Sequence, residues 1–108
     1  MAEEALVVLS TFPDADTARR IAKTLIEERL AACVNLLPAV ESIYRWKGKI
    51  ETSTEVLALL KTDIGHYRTM EGRLRELHPY EAPECLALSV SEGLPLYLRW
   101  ITDSLNES

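Results

Sequence analysis

Cysteine is scarce in this chain. Only Cys33 and Cys85 are present, and no CxxC pairing occurs, so neither a disulfide framework nor a thiolate zinc site is signalled. Glycine is scarce as well: four residues leave no glycine-rich loop to cradle phosphates, which argues against nucleotide binding. No apolar stretch approaches the roughly 20 residues that a membrane span needs. Positive charge is in the minority, with 12 Lys and Arg against 17 Asp and Glu for a net charge of −5. An acidic chain is a poor partner for nucleic acid, whose phosphates call for a basic face. The opening Met1-Ala2-Glu3-Glu4 is acidic where a secretory signal would be basic. The reading is a reduced, cytoplasmic protein that partners neither nucleic acid nor membrane.

What is present suffices for one core. The 108 residues are 47% hydrophobic, and a chain of this length buries roughly 65% of its unfolded surface, so residues 1–108 are read as a single domain. Leu6 to Leu9 is an unbroken apolar run closed by Phe12-Pro13-Asp14, the pattern of a strand buried on both faces. Asp14 or Asp16 can cap a following helix, in which Ala18, Ile21, Ala22, Leu25, Ile26 and Leu30 recur at helical spacing. From Ala31 to Lys61 the period becomes that of extended chain, with a turn signal at Lys47-Gly48 between two long arms. These arms are about twice the usual 5 to 6 residues, so the tip of the hairpin overhangs the body. Tyr44 and Trp46 share one face of that arm, where the parent domain cannot cover them, and an interface is the reading that follows.

Asp63 can start a second helix carrying Tyr67, Met70, Leu74 and Leu77 inward. The prolines of His78-Pro79-Tyr80-Glu81-Ala82-Pro83-Glu84 end it. Cys85 to Val90 then reads as a strand, and after Gly93 a last helix turns Leu94, Leu98, Ile101 and Leu105 inward. The order is strand, helix, strand, strand, helix, strand and a terminal helix. This is an α+β, ferredoxin-like βαββαβ chain with a long β2–β3 hairpin and an extra C-terminal helix.

The same fold carries many functions, and three fail on the residues. The loop after the first strand, Ser10-Thr11-Phe12-Pro13, lacks the CxxC of a copper chaperone and the arginine of an acylphosphatase. The third strand, Val56-Leu57-Ala58-Leu59-Leu60, lacks the aromatics that stack on RNA. The remaining chemistry gathers around His78, whose imidazole with Glu81 and Glu84 could hold a transition metal. The plainer account has His78 at the end of the second helix and both glutamates solvated. Cys85, beside Glu84, could reach such a metal, although Cys33 and Cys85 both read more simply as small buried hydrophobes. His66 is an exposed first-turn residue without a role.

Three segments, Glu28 to Pro38, Ser42 to Glu51 and His78 to Glu84, together with Leu60-Lys61-Thr62 and Tyr97-Leu98-Arg99-Trp100-Ile101, strongly resemble the CutA divalent-cation tolerance family. The resemblance implies a ferredoxin-like protomer, a homotrimer with interlocked hairpins, and a link to divalent cations and copper. It brings no organic cofactor and no established reaction. The copper site proposed in a bacterial member uses a cysteine at the end of the first strand and two consecutive histidines at the start of the HPY motif. Here those positions read Ser10 and Leu77-His78, so a metal site would recruit Glu81, Glu84, Cys33, Cys85 or a neighbouring subunit. A second expectation is a trimeric small-molecule sensor similar to the PII signalling proteins, with Tyr44, Trp46, Lys61, Tyr80 and Trp100 in clefts between subunits. A third is a structural scaffold. No nucleophile has an evident base, so an enzyme is not expected.

Overall fold

A computed structural model describes residues 4–106. The elements are β1 (Ala5–Phe12), α1 (Ala15–Glu27), β2 (Cys33–Trp46), β3 (Lys49–Asp63), α2 (Tyr67–Leu77), β4 (Leu86–Ser89) and α3 (Pro95–Asn106). The four strands form one sheet in the order β2-β3-β1-β4, every neighbouring pair antiparallel. No described helix is long and apolar enough to cross a membrane.

Local chemistry sets most boundaries. Asp14, not Asp16, caps α1: its Oδ1 accepts the Thr17 N–H at 2.8 Å, and Asp16 sits in the first turn paired with Arg19. The helix ends in a Schellman arrangement, with Arg29 N–H donating to Ile26 O and Leu30 N–H to Leu25 O. Arg29 holds φ 60 there, in the left-handed region that this closure needs and that glycine fills more cheaply. At the hairpin turn Lys47 and Gly48 both have positive φ, the demand of a type I′ turn.

Three boundaries differ from the sequence expectation. Asp63 does not start α2; it closes β3, buried, and its Oδ1 accepts both the N–H of His66 and a bond of 2.7 Å with His66 Nδ1. Those bonds tie off a turn, so α2 begins four residues later. His66 is accordingly half-buried and held, not a free surface residue. The last strand is Leu86–Ser89 alone, without Cys85 or Val90 in the ladder, although Val90 N–H still donates to Ala5 O. In α3, Ile101 and Leu105 are buried, but Leu94 precedes the helix and is exposed. Pro95 takes the first helical position, where its missing N–H costs nothing.

The helices divide the sheet's two faces unequally. Leu25, Met70 and Leu74 of α1 and α2 pack on Val8, Phe12, Val56, Ala58 and Leu60, closing the main core. On the other face α3 covers one end only, setting Ile101 and Leu105 against Ala5. The rest of that face carries Val7 and Leu9 from β1, Leu57 and Leu59 from β3, and Leu86 and Leu88 from β4. The protomer measures 47 × 26 × 23 Å, and its radius of gyration is 14.4 Å against about 13 Å for a compact chain of this length. The long axis follows from the overhanging hairpin.

Candidate functional site

The hairpin does not keep one alternation along its length. Leu37 pairs with Leu57, yet the next pair is Val40 with Glu55, so Pro38 and Ala39 stand against Val56 alone. Pro38 has no N–H to give to the ladder, and a one-residue bulge is where a strand accommodates it. Because side chains alternate with period two, the extra residue exchanges the faces of everything beyond it. Before the bulge, Cys33, Asn35 and Leu37 share the second face with Lys61, Leu59 and Leu57. After it, Val40, Ser42, Tyr44 and Trp46 do, opposite Glu55, Ser53, Glu51 and Lys49. The bulge thus brings Tyr44 and Trp46 to the side of Glu55.

The second wall is the loop after α2. His78 occupies the C-cap, its N–H bonded to Leu74 O, and its extended backbone satisfies the demand of Pro79. Its ring turns inward, stacks on Phe12 at 4.7 Å and tilts against Tyr80 at the same distance. Nε2 lies 2.8 Å from the carbonyl oxygen of Thr11, while Nδ1 accepts the N–H of Tyr80 at 3.1 Å. With Nδ1 accepting, Nε2 carries the proton. Burial lowers the imidazole pKa below its usual range, against the raising influence of the Thr11 bond and Glu55, so the neutral tautomer is favoured. His78 works as a bracket that fixes the loop to β1.

So fixed, Tyr80 reaches across to β3 and its hydroxyl donates to Glu55 Oε2 at 2.6 Å. Burial, then the bond to Glu55, pushes the phenol's pKa well up, so it stays a donor. Glu55 is 7% exposed, and none of the ion pairs among the described residues includes it. Between hairpin and loop lies a cavity of about 720 Å³ lined by aromatic rings of Tyr44, Trp46 and Tyr80 and by the carboxylates of Glu55, Glu81 and Glu84. Thr11, Ser42 and Ser53 add hydroxyls, and among the described residues no Lys, Arg or His lines it. Tyr44 and Ser53 hydroxyls approach at 3.4 Å.

The other candidates lie elsewhere. Lys61 Nζ bonds Asn35 Oδ1, stands 4.0 Å from Cys33 Sγ and 5.9 Å from the ring centre of Tyr97, which stacks on Trp100. The expected cleft residues therefore split: Tyr44, Trp46 and Tyr80 line the cavity, whereas Lys61 and Trp100 do not. Cys33 faces the same side as Lys61. Cys85 packs into the helix-side core, where burial raises its thiol pKa and Tyr67 Oη lies 3.6 Å away. Ser10 is fully buried with an unpartnered hydroxyl, and Leu77 packs on the core. Among the described residues no three His, Cys, Asp or Glu side chains gather closely enough to hold a metal, and His78 has both ring nitrogens engaged. Within one protomer these residues do not fit a copper centre. Sequence reasoning missed Glu55 and Thr11; the one signal for Glu55 was a carboxylate set directly before the apolar run Val56–Leu60.

A four-stranded antiparallel sheet in this order, with α1 and α2 on one face, defines the ferredoxin-like class of α+β proteins. The CutA1 divalent ion tolerance protein family matches residues 6–104. The divalent-cation tolerance protein CutA of Pectobacterium atrosepticum is 47% identical over 102 residues, covering 94% of this chain and 93% of its own length. The crystal structure of CutA from Xylella fastidiosa is similar with a TM-score of 0.92 at 47% identity, covering 95% of this chain and 99% of that one. CutA1 from Oryza sativa matches with a TM-score of 0.94 at 36% identity, over 99% and 98% of the two chains. The chain belongs to the CutA divalent-cation tolerance family.

Proposed function

We propose that the chain acts in divalent-cation tolerance as a homotrimer and performs no catalysis. The observation that carries the assembly is the second face of the sheet: Leu86 and Leu88 are 58% and 51% exposed, in line with Val7 and Leu9. Contiguous apolar surface of this kind on a single chain marks a protein interface. The overhanging hairpin adds Ile43 and Ile50, both exposed in the isolated chain. Light scattering should give three times the 12.2 kDa chain mass; a single-chain mass at micromolar concentration overturns the assembly.

We infer that copper or another divalent cation binds directly at low to moderate affinity only, through ligands drawn from more than one subunit. His78 can ligate only by giving up Thr11 O or the Tyr80 N–H, and one imidazole is a weak site. Native mass spectrometry with copper and zinc should show graded uptake, reduced in His78→Gln; saturation at high affinity by the single chain overturns this. A second reading, a sensor of small molecules like the PII proteins, is favoured by the cavity.

A further inference from the structure

We propose that the cavity between the hairpin and the His78–Glu84 loop binds a small organic cation, an amine or quaternary ammonium, with Glu55 as its counter-charge and Tyr44, Trp46 and Tyr80 as its aromatic walls. The inference rests on the sensor reading and names its ligand class.

Sign comes first. Among the described residues, three acidic and no basic residues line the cavity, so an anion would meet repulsion from every charged wall. Glu55 then singles out a position. It is more than nine-tenths buried, one oxygen is taken by Tyr80, and Oε1 has no hydrogen-bond partner among the described residues. Its free oxygen lies on the cavity lining, where a cation can reach it without displacing the Tyr80 bond.

The walls separate an organic cation from a metal ion. Calcium takes 6 to 8 oxygen ligands and transition metals prefer imidazole or thiolate, yet no three acidic, His or Cys side chains converge among the described residues. Three aromatic rings offer a metal ion little, but their negative faces attract alkylated ammonium groups, which shed water readily. Trp46 already lies 5.8 Å from the Lys47 ammonium. The volume, about 720 Å³, lies within the range of small-molecule sites, and the His78 bracket pre-forms the wall that carries Tyr80.

The test uses the assembled protein and calorimetric titration with choline, with its neutral isostere 3,3-dimethylbutan-1-ol, and with spermidine. Choline or spermidine should bind at least tenfold more tightly than the isostere. Glu55→Gln, whose amide oxygen still accepts from Tyr80, should abolish that preference, and Trp46→Leu should reduce it. Equal affinity for choline, spermidine and the isostere overturns the cation assignment and leaves a sensor of apolar ligands. No saturation by any of the three, with hydrogen exchange at residues 42–46 already slow in the unliganded assembly, means that a second copy fills the cavity, and the sensor reading falls as well. No saturation with fast exchange there overturns the cation assignment alone.

Discussion

On the face under α1 and α2, Val8, Ala58 and Leu60 are at most 1% exposed, whereas on the other face Leu86 and Leu88 stay more than half exposed. Both faces come from the same alternating strands and are similarly apolar. The difference lies in what the chain has left to cover them with: two amphipathic helices fall on one side, and the single α3 reaches only the Ala5 end of the other. If the proposed assembly holds, one face serves folding and the other association, and substitutions should separate the two.

The largest expected effect is on the covered face. Leu25→Ala removes a fully buried side chain from the main core, and chemical denaturation at fixed protein concentration should show a loss of about 2 to 5 kcal/mol. Leu88→Glu, on the other face, should leave far-ultraviolet circular dichroism intact while light scattering falls to the mass of one chain. If the mass holds, that face is not the interface and the comparison breaks. A smaller effect concerns pH. The His78 pKa is held below its ordinary 6.5 by burial, so the unfolded chain binds this proton more readily than the folded one. Stability from the neutral ring is full above about pH 6.5 and is lost as pH falls from there towards the folded-state value. Thermal melts from pH 8 to 5 should show that decline, and His78→Gln should flatten it. The smallest effect is at the end of α1: Arg29→Gly relieves the positive φ there but gives up the long bond from Arg29 Nη1 to Ser104 O of α3, and should raise stability by less than about 1 kcal/mol.

Much of this architecture was readable from residues alone, because it rests on local pattern. The helical spacing of Ala18 to Leu25, the long arms about Lys47-Gly48 and the double proline after His78 each act within a few positions. The start of α2 was misread because Asp63 has two short-range uses, capping a helix or tying a turn, and its burial beside His66 decides between them. The cavity was half legible. Tyr44 and Trp46 stand out on an arm too long for its body, and Tyr80 lies in a conspicuous loop. Glu55 does not stand out among its fellow acids, since its burial depends on a tyrosine 25 residues away. Nor does the alternation of a half-exposed strand reveal that it has been interrupted; Pro38 was the only mark.

That interruption makes the cavity a matter of counting. Deleting both Pro38 and Ala39 would leave every aromatic and acidic group in the chain and still swing the rings of Tyr44 and Trp46 away from Glu55, because Val40 would then follow Leu37 directly and stand opposite Val56. Deleting either one alone would only flatten the bulge, since the remaining residue stands opposite Val56 and Val40 still meets Glu55. Length changes in this short stretch should thus be tolerated as long as one or two residues remain opposite Val56, and losing the last of them should matter more than many substitutions within the hairpin.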